Sequence, residues 1–222
     1  HVAAEEGRPR LVERLLEAQA SVNQPDRDGR SPLLLAAQSG HADVVDILLH
    51  SDAQLTFERN GLNLLARAAM FGHEEVGRRL LDAASQRDDS DRCVAELLQG
   101  GTKTFSTLAI AARYGHTQMC ELLLARGVNV GAEVSNPLWT SLHRACANGH
   151  MLTARAVLRA EGRLLDHKDP SGFTPLMEAT YYGHAPVCSQ FLAAGTAVNA
   201  KNARGLHYGV RRRDREQQRT RL

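Results

Sequence analysis

Histidine is the residue type that first asks for a chemical explanation, since ten occur in 222 residues. Imidazole nitrogens hold zinc when several converge with thiolates at short, fixed spacings. Here five follow a glycine directly, at His41, His73, His116, His150 and His184, while His50, His167 and His207 are scattered without ligand spacing. The cysteines Cys93, Cys120, Cys146 and Cys188 lie far apart and form no Cys-x-x-Cys pair. Three of them, Cys120, Cys146 and Cys188, fall in apolar helical patterns and read as small buried hydrophobes, consistent with a reducing compartment. The stretch "RDDSD" (87–91) lacks the alternating acids and distal glutamate of a calcium loop, so it reads as a solvated acidic loop in which Ser90 is a candidate for phosphorylation. Neither a Gly-x-x-x-x-Gly-Lys phosphate loop nor a Gly-x-Ser-x-Gly elbow is present. The expectation is therefore a protein with no catalytic residue, no cofactor and no metal: not an enzyme.

Composition is that of an ordinary globular chain, with 43 % hydrophobic and 23 % charged residues. The longest clean apolar run, Leu33 to Ala37, is far too short for a bilayer. His1 to Arg10 contain no apolar signal-peptide core. The first residue is not Met, which reads as an excerpt of something longer. These features predict no membrane insertion and an intracellular location, cytoplasmic or nuclear. Charge is unevenly placed. From Arg204 onward seven arginines face only Asp214 and Glu216, so the preceding residues are net acidic within an overall charge of +2. An acidic body argues against nucleic acid as a partner.

The elements that place these residues follow from a repeat. Gly-His recurs at 40–41, 72–73, 115–116, 149–150 and 183–184, and a period of this size marks a stacked-repeat architecture. Residues 28–49, "DGRSPLLLAAQSGHADVVDILL", carry the local logic. Asp28-Gly29 makes a turn, Ser31 caps a helix, and Pro32 suits its first position. The helix is alanine-rich and ends at Gly40, which supplies the left-handed conformation. Val44, Val45, Ile47, Leu48 and Leu49 give a second helix a wide apolar face. Neither helix can bury that face alone, so neighbouring units must stack.

With "FTPLMEATYYGH" (173–184), "WTSLHRACANGH" (139–150), "FSTLAIAARYGH" (105–116), "RSPLLLAAQSGH" (30–41) and "LNLLARAAMFGH" (62–73), the chain resembles the ankyrin-repeat family. Unit ends such as "GVNV" (127–130) and "GTAVNA" (195–200) extend the likeness over roughly residues 1–203. The resemblance implies an all-α repeat solenoid of stacked helix-turn-helix units with short β-hairpin fingers. It implies units at approximately 1–25, 26–57, 58–101, 102–134, 135–168 and 169–203. Three departures stand out. Residues 84–104 form an insertion, in which Val94, Leu97 and Leu98 can make an extra helical turn; this polar segment is expected to be the most mobile and first cut by protease. "RGLHYGV" (204–210) begins a seventh turn without Thr-Pro, so 204–222 is expected to be a basic, disordered tail or an incomplete seventh repeat. The first unit starts mid-motif. In such repeats the Gly-His histidines, and those at the Leu-His position (His1, His143), bond backbone groups and tie adjacent turns together.

Aligned on Gly-His, the two positions before the glycine vary freely: Gln38-Ser39, Met70-Phe71, Arg113-Tyr114, Ala147-Asn148 and Tyr181-Tyr182. The resemblance places them, and the residue before each helix cap, beside a concave groove. The expected partner-binding residues are Arg30, Gln38, Met70, Phe71, Phe105, Arg113, Tyr114, Trp139, Asn148, Phe173, Tyr181 and Tyr182. Aromatic rings of this kind dominate binding hot spots. Packing on the next repeat competes with this reading for Phe71, Tyr114 and Tyr182, and less for Trp139 and Tyr181. The implied function is a non-enzymatic protein–protein interaction module, monomeric as an isolated domain. The alternatives are a substrate-recruiting adaptor arm of a ubiquitin ligase, or a regulatory region of a larger enzyme or channel.

Overall fold

The computed structural model describes residues 1–55, 62–87, 89–98, 101–102, 105–128, 130 and 140–207. The chain forms two compact units, His1–Ala111 and Ala112–Leu222.

Helix starts follow the caps written in the sequence. The Ser31, Asn63, Thr140 and Thr174 side chains each accept from the backbone N–H three residues on, opening α3 (Pro32–Ser39), α5 (Leu64–Phe71), α10 (Ser141–Ala147) and α12 (Pro175–Tyr182). Each cap satisfies a donor that the first helical turn leaves open. Pro32 and Pro175 stand at the first position, where no N–H is needed. Ser106 does the same for α8 (Thr107–Tyr114), within which the chain passes from one unit to the other.

In the first unit α1 (Val2–Glu5), α3 and α5 stack side by side, while α2 (Pro9–Glu17), α4 (Ala42–His50) and α6 (Glu74–Ser85) stack likewise behind them. The second unit repeats this arrangement. There α10 packs on α12, and α9 (Thr117–Ala125) on α11 (Met151–Ala160) and α11 on α13 (Ala185–Ala193). A short 3₁₀ turn, Gly162–Leu164, follows α11. The two layers differ because their sequences do. From Pro32 to Ala37 every residue of α3 is buried, so α3 needs neighbours on more than one side. Its alanines, Ala36 and Ala37, are small enough for helices to close on them. By contrast, α4 buries Val44, Val45 and Leu48 and leaves Asp43 and Asp46 outward.

The expected fingers are turns with a common closure. Asp26 and Asp169 each accept from N–H groups two and four residues on through Oδ1 (2.7–2.9 Å), and each backbone N–H donates to the carbonyl four residues on. Asn202 closes the same turn with Arg204 and Leu206. The turn therefore spans the boundary expected between 203 and 204, and residues 208–222 of the expected tail lie outside the described residues. Among the described residues a strand ladder is formed at β1 (Gly101–Thr102) and β2 (Phe105–Ser106), antiparallel with Thr102 opposite Phe105.

The insertion departs most from expectation. Instead of one extra turn in an open connector, Ser90–Leu98 forms the nine-residue helix α7, packed on α5 and α6 with Leu97 and Leu98 buried. The physical reason is its amphipathic spacing together with Asn63. Besides capping α5, the buried Asn63 donates its amide to the carbonyls of Leu97 (2.9 Å) and Glu96 (3.3 Å), which the end of α7 leaves open.

Candidate protein-interaction surface

The geometry starts from the Gly-His pairs. Nε2–H of His41 donates to the carbonyl of Glu5 (3.0 Å), and that of His73 to Gln38 (2.9 Å). In the second unit His150 donates to Arg113 and His184 to Ala147, both at 3.0 Å. In each case the acceptor lies two residues before the preceding repeat's glycine. A Cβ on Gly40 or Gly149 would stand 2.6 Å from the ring of the following repeat's histidine. The glycine is thus demanded twice, by its positive φ and by the imidazole that lies against it.

A second contact, local in sequence, follows from the same motif. Where an aromatic residue precedes the glycine, its ring stacks on the histidine just after it. Phe71 lies 6.2 Å from His73, Tyr114 6.2 Å from His116, and Tyr182 6.4 Å from His184, with ring planes within 30°. These aromatics nevertheless stay open, at 45 %, 47 % and 45 % exposure. Stacking fixes one face of each ring and leaves the rest to solvent.

The expected surface residues divide. Among the described residues of the first unit, Phe71 alone presents a large open ring. Met70 and Phe105 are half-buried against Leu62, Ala66 and Ile110. Gln38 is half-buried and lends its carbonyl to His73. Arg30 is held by its own turn, bonded to Asp26 at 2.8 Å and near Asp28 at 3.3 Å. Backbone N–H donation from Arg30 is the main reason the Asp26 carboxyl sits below its ordinary value. In the second unit Arg113, Tyr114, Asn148 and Tyr182 are exposed.

Two expectations change. Phe173 does not line an open surface. It is 5 % exposed, fixed by Asp169 through its N–H, and its carbonyl accepts from Nε2 of His143 at 3.0 Å. Of the tyrosine pair, the more open ring is Tyr182 rather than Tyr181, which is half-buried and meets Tyr182 edge-on at 4.8 Å. Trp139 lies outside the described residues. Arg144, given no role by the motif reading, joins Arg113, Ala147, Asn148 and Tyr182 around a cleft of ≈ 290 Å³. Its one sequence signal was a cation beside the Leu-His histidine, on a helix otherwise built from small and apolar residues.

His143 is fully buried. Its Nδ1 accepts from the Thr140 hydroxyl (2.8 Å) while Nε2–H serves Phe173, so both nitrogens are used by the neutral ring. Burial lowers its pKa to about 4, and nearby His167 adds to the effect against the opposing charge of Asp169. Among the described residues no three His, Cys, Asp or Glu side chains group as a metal ion would require. No described helix is long and apolar enough to cross a membrane.

Capped inner helices, Gly-His latches and Asx-closed turns, repeated along both units, define a repeat solenoid. The family model described as "Ankyrin repeats (3 copies)" matches residues 1–91, 80–163 and 108–202. The chain belongs to the ankyrin-repeat family. Ankyrin repeats mediate protein–protein interaction, and the fold is in general non-enzymatic. The chain is 28 % identical over 200 residues to the human "Transient receptor potential cation channel subfamily A member 1", covering 83 % of this chain and 16 % of that protein. It is 30 % identical over 173 residues to "Probable E3 ubiquitin-protein ligase XBOS32" of Oryza sativa subsp. japonica, covering 76 % and 31 %. The ankyrin repeat domain of human ASB11 superposes with a TM-score of 0.76 at 23 % identity, over 94 % of this chain and 88 % of that one. The chain spans less than a third of the length of these curated relatives.

Proposed function

We propose that the chain is a non-enzymatic module that binds a protein partner through the side chains flanking its Gly-His pairs. The observation that carries this reading is the recurrent open aromatic at Phe71, Tyr114 and Tyr182. A large ring held by stacking on an imidazole loses little rotamer freedom when a partner covers it, which is the property that makes aromatics hot spots. No part of the internal packing needs the open faces, while Met70, Phe105 and Phe173 serve the core. The partner is a protein, with no nucleic acid or cofactor involved, and the isolated chain is monomeric in an intracellular compartment.

Two settings fit the relatives: the recruiting arm of a ubiquitin-ligase assembly, and a regulatory region within a longer channel or enzyme. Both use the same surface. The test is affinity purification with the full-length protein against a variant carrying Phe71→Ala, Tyr114→Ala and Tyr182→Ala. The variant is expected to fold with an unchanged melting temperature and to lose its specific partners, each ring being worth about 2 kcal/mol. Identical partner sets for the two proteins would overturn the assignment.

A further inference from the structure

The cleft in the second unit has a chemistry that the aromatic positions alone do not explain. Its lining among the described residues, Arg113, Arg144, Ala147, Asn148 and Tyr182, includes two guanidinium groups and no carboxylate. Arg113 is exposed and lies 5.9 Å over the ring of Tyr114, a cation–π placement that holds the fork near one position. Arg144 is half-buried and its pKa is lowered, chiefly by desolvation and then by the charge of Arg113. The charge of Glu178, a buried carboxylate, opposes that shift on Arg144. The carbonyls of Arg113 and Ala147, which would otherwise repel an anion, already accept from His150 and His184. Asn148 has its amide nitrogen on the Arg144 carbonyl at 2.8 Å.

We propose that this cleft receives the carboxylate side chain of an acidic segment of a protein partner. Arg113 is the outer cation, Arg144 the inner one, and Tyr182 the wall. A guanidinium fork matches a carboxylate geometrically, and the desolvated setting strengthens the pair relative to an exposed one. The site is a single cleft in a net acidic body rather than a basic stripe, which favours one acidic side chain over a polyanion such as nucleic acid. The proposal rests on the protein-binding reading above and names the chemistry of what is bound.

The test is selection of phage-displayed random dodecapeptides on the purified 222-residue chain, followed by fluorescence anisotropy with the labelled winners. Expected are an enrichment of Asp and Glu, weakening with added salt, and at least tenfold weaker binding to Arg113→Glu at an unchanged melting temperature. Arg113→Lys should recover part of the loss. Winners without acidic residues that bind Arg113→Glu normally but fail on the Tyr114→Ala, Tyr182→Ala variant overturn the acidic-segment proposal and leave the interaction surface standing. Winners indifferent to all these substitutions, or no winners, overturn both.

Discussion

His143 and the Gly-His glycines each yield a measurable consequence. In the folded chain His143 titrates near 4, against 6.5 for an unhindered imidazole, because burial disfavours its charged form. The unfolded chain therefore binds more protons between those values. Stability is fully present above about pH 6.5 and is lost as pH falls towards 4, with a limit of about 3 kcal/mol. His150, lowered by desolvation as well, acts in the same direction. Urea midpoints should give a stability about 2 kcal/mol lower at pH 5 than at pH 7.5, and His143→Asn should flatten that dependence. The glycines separate by what lies against them. Gly183 has φ +83 but nothing within 4 Å of an added Cβ, whereas Gly149 meets the His184 ring. Gly183→Ala is expected to cost about 1 kcal/mol of left-handed strain. Gly149→Ala should cost at least about twice that, since the His184 bond to Ala147 is displaced as well. Equal denaturation midpoints for the two variants would contradict the latch.

The insertion shows how a single side chain builds an element into a fold. Helix α7 is short enough to be marginal alone, and its stability comes from Leu97, Leu98 and the amide of Asn63. Asn63→Ser keeps an oxygen to cap α5 but abandons the carbonyls of Glu96 and Leu97, so it should cost about 1–2 kcal/mol. The loss should appear as faster hydrogen exchange across Ser90–Leu98. Trypsin reports on the same element. Arg92 lies within α7, paired with Glu96 at 2.8 Å, and Arg87 donates to the Ala53 carbonyl at 3.2 Å. Cleavage at Arg92 is therefore expected to be slow in the parent chain and fast in Asn63→Ser. Early cutting at Arg92 in both would show that α7 does not hold its place.

Across both units the packing depends on stacked apolar faces rather than on cross-links. Cys120 and Cys146 are buried thiols, and Cys93 and Cys188 are half-buried and free. Burial pushes the Cys146 thiol well above its ordinary value, which keeps it protonated and slow to react. Thermal melts with chelator or with reductant are expected to match the untreated protein. A fall of more than about 10 °C in either would mean several kcal/mol from a metal or a disulfide. Because each repeat leans only on its neighbours, damage at one latch should spread to the adjoining helix pairs within its unit.

The repeat period, the caps at Ser31, Thr140 and Thr174, and the glycine at each helix end were legible in the linear order of residues. They depend on neighbours a few positions apart, and local sterics and hydrogen bonding act at that range. The family followed from the same short motifs recurring. What the order of residues did not reveal was which of two adjacent tyrosines faces water. Nor did it reveal that Phe173 serves the core, that Asn63 reaches the end of α7, or that Arg144 joins Arg113 in one cleft. The last three of those outcomes depend on residues about 30 positions away being brought within hydrogen-bonding or packing distance. Packing of whole helices, rather than residue type, settles which face of a ring or fork stays open.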